Sequence, residues 1–171
     1  MNIQRPLWLA PICLVVGAVL GLVGSFVPSP SLRGVAWGLD GTLLVVGAAL
    51  LAVRCLQAGR EQMASGFLVF IAGQTLVVSG SAMSLEASSP LFAAGVGLWS
   101  AALLLVSVPK GLPIAIRATG ILAALLFAAT ALQVFAGLAL TPLSEPLPFF
   151  AYPVLVITLF GWAWWWSRPI V

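Results

Sequence analysis

Between Glu61 and Lys110 the chain reads QMASGFLVFIAGQTLVVSGSAMSL (62–85), then Glu86 alone, then ASSPLFAAGVGLWSAALLLVSVP (87–109). Neither run holds a charged side chain. Each exceeds the roughly 20 apolar residues that cross a hydrocarbon core about 30 Å thick. Two such runs split by one acid read as two transmembrane helices joined by a turn. Working outward, residues 6–32, 118–144 and 146–167 are also uncharged, and 34–53 is interrupted only by Asp40. The seven basic and four acidic side chains thus cut all 171 residues into membrane-length pieces. This spacing predicts an all-α polytopic membrane protein, a single transmembrane domain over 1–171. Its six transmembrane helices are expected at about 7–27, 37–56, 64–84, 91–108, 117–139 and 149–167.

Composition agrees. The chain is 62% hydrophobic and 6% charged, with a mean hydropathy of +1.18. A water-soluble domain carries about 25% charged residues, so this chain lacks the polar side chains to coat a soluble surface. The net charge of +3 comes from scattered residues and does not point to nucleic acid. Arg5, Arg54, Arg60, Lys110, Arg117 and Arg168 fall at the N-terminus, in the second and fourth connections and at the C-terminus. Only Arg33 falls on the opposite side. The positive-inside rule then predicts a multi-pass protein of the inner (plasma) membrane with both termini cytoplasmic. Asp40, Glu86 and Glu145 lie on the outer side. Arg5 before an apolar run also fits a signal peptide, but 6–27 is long for one and no A-x-A cleavage site follows. The segment therefore reads as a retained first span.

A threefold pattern runs through the chain. The odd helices lead into outer connections rich in Pro and Ser (28–31, 88–90 and 142–148), and the first two even helices lead into basic ones. Gln74 precedes Glu86 by twelve residues and Gln133 precedes Glu145 by twelve, the two pairs being offset by 133 − 74 = 59. Three repeated helical hairpins of about 57 residues would fill the length, and repeat interfaces often carry function in membrane proteins.

Small residues predict how the helices meet. Gly17, Gly21 and Gly24 mark helix 1, Gly34, Gly38 and Gly41 mark helix 2, and Gly120, Ala124 and Ala128 mark helix 5. Lipid supplies no hydrophobic force between helices, so close backbone approach takes its place. These faces suit packing within the chain, with packing against another subunit as the alternative. Trp8, Trp162, Trp164, Trp165 and Trp166 are expected as anchors at the cytoplasmic interface, where indoles sit at the headgroup level.

The candidate polar residues are few. Asp40 reads either as an N-cap of helix 2, in Asp40-Gly41-Thr42, or as a functional acid in the membrane. Gln74 and Gln133, near the middles of helices 3 and 5, need partners in hydrocarbon. They serve either as interhelical glue or, with Thr75, Ser79, Ser81 and Thr130, as the lining of a narrow polar path. Hydroxyls also bond back to their own helix. No histidine is present, which removes imidazole ligands for haem or zinc. No G-x-S-x-G motif or P-loop occurs. Cys13 and Cys55 read as small packing residues. No catalytic residue, metal site or cofactor is expected.

Six helices in about 170 residues, with glycine-rich odd helices and proline in the outer connections, resemble the HdeD-like family of small bacterial membrane proteins. The residues carrying this are the Leu14–Gly24 run with Pro28, the Phe67–Gly80 run with Pro90 and the Gly120–Gly137 run with Pro142. The resemblance implies a six-helix fold and a role in acid resistance. Pro6-Leu7-Trp8-Leu9, Gly97-Leu98-Trp99 and Ala136-Gly137 are also similar to short runs of the acetate and succinate uptake family, which implies a hexameric transporter. Here Ile3-Gln4-Arg5 replaces the start of that family's N-terminal motif, and Ala72 stands where it has a pore tyrosine. Neither resemblance carries site residues across.

These readings lead to a non-enzymatic integral membrane protein that acts by helix packing. It would be an accessory subunit of a larger complex or a homo-oligomer, its partners being lipid and other membrane subunits or copies of itself. The alternative is a channel or carrier for a small neutral or weakly acidic solute.

Overall fold

The structure is a computed structural model and describes residues 8–145 and 147–168. The expected start of the first helix at Leu7, the Ile3–Pro6 stretch with Arg5, and Pro146 lie outside them. Among the described residues six helices make up the fold: α1 (Leu9–Gly24), α2 (Pro30–Gln57), α3 (Glu61–Gly80), α4 (Leu85–Ser107), α5 (Ile114–Phe135) and α6 (Ala151–Trp166). α2, α3, α4 and α5 are long and apolar enough to cross a membrane, whereas α1 and α6 are shorter apolar helices of 16 residues. At 1.5 Å per residue the short pair spans roughly 24 Å.

Several boundaries differ from the sequence expectation, each for a local reason. α2 begins seven residues early, at Pro30. Ser29 is extended at its N-cap and Pro30 takes the first helical position, where a missing N–H costs nothing. The Pro28-Ser29-Pro30 segment therefore stops α1 and also starts α2. α4 begins at Leu85, six residues early, because the Ser84 side chain accepts a hydrogen bond from the Ala87 N–H. Pro90 sits inside the helix, which its packing against α3 and α5 holds despite the lost hydrogen bond. α5 ends at Phe135, and Gly137 just beyond it turns the chain at φ 96°.

Each helix packs along its neighbours in sequence, and α6 closes back on α1. Helices joined by short connections and packed lengthwise run antiparallel. Connections 25–29, 81–84 and 136–150 thus gather at one end of a closed ring, where Phe26 meets Phe149 edge-on at 5.7 Å. Connections 58–60 and 108–113 lie at the other. There Arg54 donates to the Trp166 carbonyl oxygen at 3.2 Å, and Arg117 donates to those of Ser107 and Val108 at 2.9 and 2.8 Å. Cations at helix C-termini satisfy unpaired carbonyls.

Close approach is set by glycine. A Cβ on Gly73 of α3 would lie 2.7 Å from the Gly95 carbonyl oxygen of α4, and one on Gly95 would lie 2.8 Å from the Gly73 oxygen. The two backbones therefore touch. Of the small residues picked from sequence, Gly17 receives Leu44 and Gly24 receives Trp37, but Gly34 and Gly38 meet nothing within 4 Å. Both Cys13 and Cys55 are buried free thiols.

The ring encloses no open bore at its middle. α3 and α6 are opposite members, and Trp162 of α6 reaches across to Phe67 and Phe70 of α3 at 5.1 and 6.2 Å between ring centroids. Trp99 stacks on Phe70 and meets Phe127 edge-on. These aromatic rings are buried and plug the axis. Two of the five tryptophans expected at the interface, Trp162 and Trp166, are therefore core residues. Trp8 and Trp164 are exposed and Trp165 is partly buried. Consecutive positions on a helix point in different directions, so a run of tryptophans cannot share one environment. Outside, the surface stays apolar: Ile12, Val19, Leu39, Leu68, Leu125 and Ile157 are all exposed.

Candidate functional site

Asp40 lies ten residues inside α2, roughly 15 Å from its first residue. It is therefore no N-cap. The favourable end of the helix dipole fades within one turn, so that end does not stabilise the carboxylate. The side chain faces α1 and α3. A Cβ on Gly21 would fall 2.9 Å from Asp40 Oδ2, so the missing side chain at Gly21 makes room for the carboxylate. Gly41 gives α3 the same access: a Cβ there would collide with Val78 and lie 3.5 Å from Gln74 Nε2.

Gln74 of α3 is wholly buried and donates from Nε2 to Asp40 Oδ2 at 3.5 Å, a long hydrogen bond. Its Oε1 is buried with no donor among the described residues. An unpaired amide oxygen in an apolar interior costs about 1–3 kcal/mol. The pair lines a cavity of about 90 Å³ that also touches Trp37, Phe92, Trp99 and Tyr152. One water needs roughly 10–15 Å³ by this measure, so the space is several times larger. The cavity reaches the end of the ring where Ser81 and Met83 are exposed.

Its surroundings are tied down. The Trp37 indole N–H donates to the Gly21 carbonyl oxygen at 3.3 Å, which holds α2 against α1. The Tyr152 hydroxyl donates to the Pro142 carbonyl oxygen at 2.8 Å, and Ser89 Oγ to that of Leu140 at 2.6 Å. Both bonds pin the 136–150 connection over the cavity. Arg33 donates to the carbonyl oxygens of Val27 and Pro28 at 3.0–3.3 Å, so its charge is spent at the end of α1.

Of the residues expected to share a polar path, the fold brings Asp40 and Gln74 into contact and places Ser81 at the mouth of the same cavity. Gln133 is exposed near the C-terminus of α5. Thr75 and Ser79 are exposed on the far side of α3 and bond back to Ala72 and Thr75 carbonyl oxygens. Ser81 Oγ bonds to the Val78 oxygen, although the residue lines the mouth. Thr130 is buried but bonds to the Leu126 oxygen of its own helix. Sequence reasoning missed Trp37, Phe92 and Tyr152. Trp37 was findable, since it precedes Asp40 by three residues and so shares its helix face. Tyr152, the lone tyrosine, gave no pattern to read.

The Trp99 indole N–H is also buried without an acceptor. The site thus offers a carboxylate and a free amide oxygen within an apolar, aromatic wall. It can accept hydrogen bonds from a small guest. Among the described residues no three His, Cys, Asp or Glu side chains gather as a metal site. No protein-family model matches the chain, and neither does any curated protein or solved structure.

Proposed function

We propose that this chain is a non-enzymatic membrane protein of six spans that binds a small solute in the Asp40–Gln74 cavity from the non-cytoplasmic side. The observation that carries this reading is the buried Gln74 oxygen, unpaired beside a carboxylate in a cavity open towards one end of the ring. Intramembrane ionisable groups mark solute and ion sites, and a concave apolar pocket with a few converging polar groups suits a small molecule. Arg54, Arg60, Lys110, Arg117 and Arg168 at the opposite end support cytoplasmic termini in a plasma membrane. α1 and α6 would span as short helices, by local thinning of the bilayer. The aromatic plug favours a carrier or a receptor over an open channel.

The test is solute uptake and binding by the purified chain in proteoliposomes, with a panel of small neutral, anionic and cationic solutes. Gln74→Leu should reduce the response roughly tenfold or more, the cost of one buried hydrogen-bonding group. Gln133→Leu should leave it unchanged. An equal effect of both variants would sink the reading.

The outer surface supports a second reading, an accessory subunit or homo-oligomer that acts by packing. Gly34 and Gly38 present an open, small-residue face on α2, the kind of surface that lets helices approach closely in lipid. Crosslinking mass spectrometry in native membrane that finds no partner and no self-contact through this face would count against it.

A further inference from the structure

We infer that the solute taken by the Asp40–Gln74 cavity is a small organic cation bearing at least two N–H donors, of the primary ammonium class. The inference rests on the solute-binding reading above and adds the chemistry of the guest. Three independent features converge on it.

The first is charge. Asp40 sits between α1, α2 and α3, and the one side-chain hydrogen bond it accepts among the described residues comes from the neutral amide of Gln74. A buried carboxylate without a cationic partner is costly, and the cost is relieved when a positive charge pairs with it and its lone pairs are filled. Arg33 does not fill this role. It lies seven residues earlier on α2, roughly 10 Å along the axis, and its guanidinium is bonded to the Val27 and Pro28 carbonyl oxygens. A cationic guest brings the missing charge, whereas an anion would add a second negative one.

The second is donor count. Gln74 already spends an N–H on Asp40, so its Oε1 is left to accept. An ammonium head directs one N–H to the carboxylate and another to Oε1, which is closed off in the empty cavity and becomes reachable when the Gln74 amide turns towards the guest. An alcohol has a single donor and leaves one of the two unsatisfied. A bare metal cation fits poorly, since hard cations require six or more oxygens and the wall here is chiefly apolar.

The third is shape. About 90 Å³ is some three times the roughly 30 Å³ that a water occupies in the liquid, room for about three or four non-hydrogen atoms, and Trp37, Phe92 and Trp99 supply aromatic faces for a short apolar tail or for cation–π contact. The end of the ring at which the cavity opens carries Glu86 and Glu145 against Arg33. The other end carries Arg54, Arg60, Lys110, Arg117 and Arg168 against Glu61. That asymmetry draws cations to the mouth and repels them from the far end.

The probe is ethylammonium, which is small enough for the stated range, compared with ethanol and acetate. All three are titrated into the purified full-length chain in nanodiscs, and saturable change in tryptophan fluorescence and the melting temperature are recorded. Expected is binding of ethylammonium at least tenfold tighter than of either analogue. In Asp40→Asn that binding should weaken roughly 10- to 100-fold, the range for a charge-assisted hydrogen bond, with far-UV circular dichroism unchanged. Saturable binding of ethanol or acetate as tight as ethylammonium overturns the cationic class and leaves the solute site standing. Binding of none of the three overturns both. The wild-type comparison decides the matter even if Asp40→Asn does not fold.

Discussion

Replacing Gly73 by alanine tests whether backbone contact between α3 and α4 holds the ring together. The new Cβ would stand 2.7 Å from the Gly95 carbonyl oxygen and 2.8 Å from Trp99 Cδ1. Ordinary contact begins near 3.4 Å, so the helices must part locally by 3.4 − 2.7 = 0.7 Å. The opposing atom is helix backbone, which has no rotamer to escape into. A gap of about that size forfeits a quarter to a half of each atom-pair attraction across the seam, and overpacking of this kind costs about 1–3 kcal/mol. We expect the upper half of that range, about 2–3 kcal/mol, because α3 also carries Phe67, Phe70 and Gln74. The control is Gly34→Ala, where nothing lies within 4 Å. Alanine there should be neutral or stabilise by up to about 1 kcal/mol through helix propensity. Unfolding by titration of a denaturing detergent into mild micelles, followed by tryptophan fluorescence and circular dichroism, gives both values. Equal stability of the two variants would refute the packing argument.

Trp162→Ala should destabilise by about 3–5 kcal/mol, as a large aromatic removed from a core, because Trp162 bridges the ring to Phe67 and Phe70. Trp164→Ala should cost under about 1 kcal/mol, losing chiefly its contact with Arg168 at 3.6 Å; the same detergent titration reads both. With Cys13 and Cys55 changed to alanine, Met83→Cys should react with an impermeant maleimide from outside intact cells, and Ala58→Cys should not. The reverse labelling would invert the proposed topology.

The class of fold was legible in one dimension. Charged side chains are costly in hydrocarbon, so their spacing alone marks six helical segments, and no tertiary contact is needed to see them. Helix ends were less legible. Pro30 and Pro90 were expected in connections, yet Pro30 starts α2, where a first-position proline loses nothing, and Pro90 sits within α4, where packing against α3 and α5 holds the helix despite the lost hydrogen bond. The candidate site was half legible: Asp40 and Gln74 stood out as polar atoms in apolar runs, but so did Gln133, and nothing in the sequence separated them.

What the sequence by itself determined is therefore the number, order and helical nature of the apolar segments and the uneven distribution of charge between the two ends. Only the tertiary structure decided the rotation of each helix about its own axis. In a soluble helix a polar face reveals that rotation; here both faces are apolar, and the pattern is nearly uniform around the helix. Rotation is settled instead by where glycine lets backbones touch, as at Gly73 and Gly95, and by where bulky rings fit, as at Trp162. Those contacts turn Gln74 inward onto Asp40, while Gln133 faces outward near the end of α5.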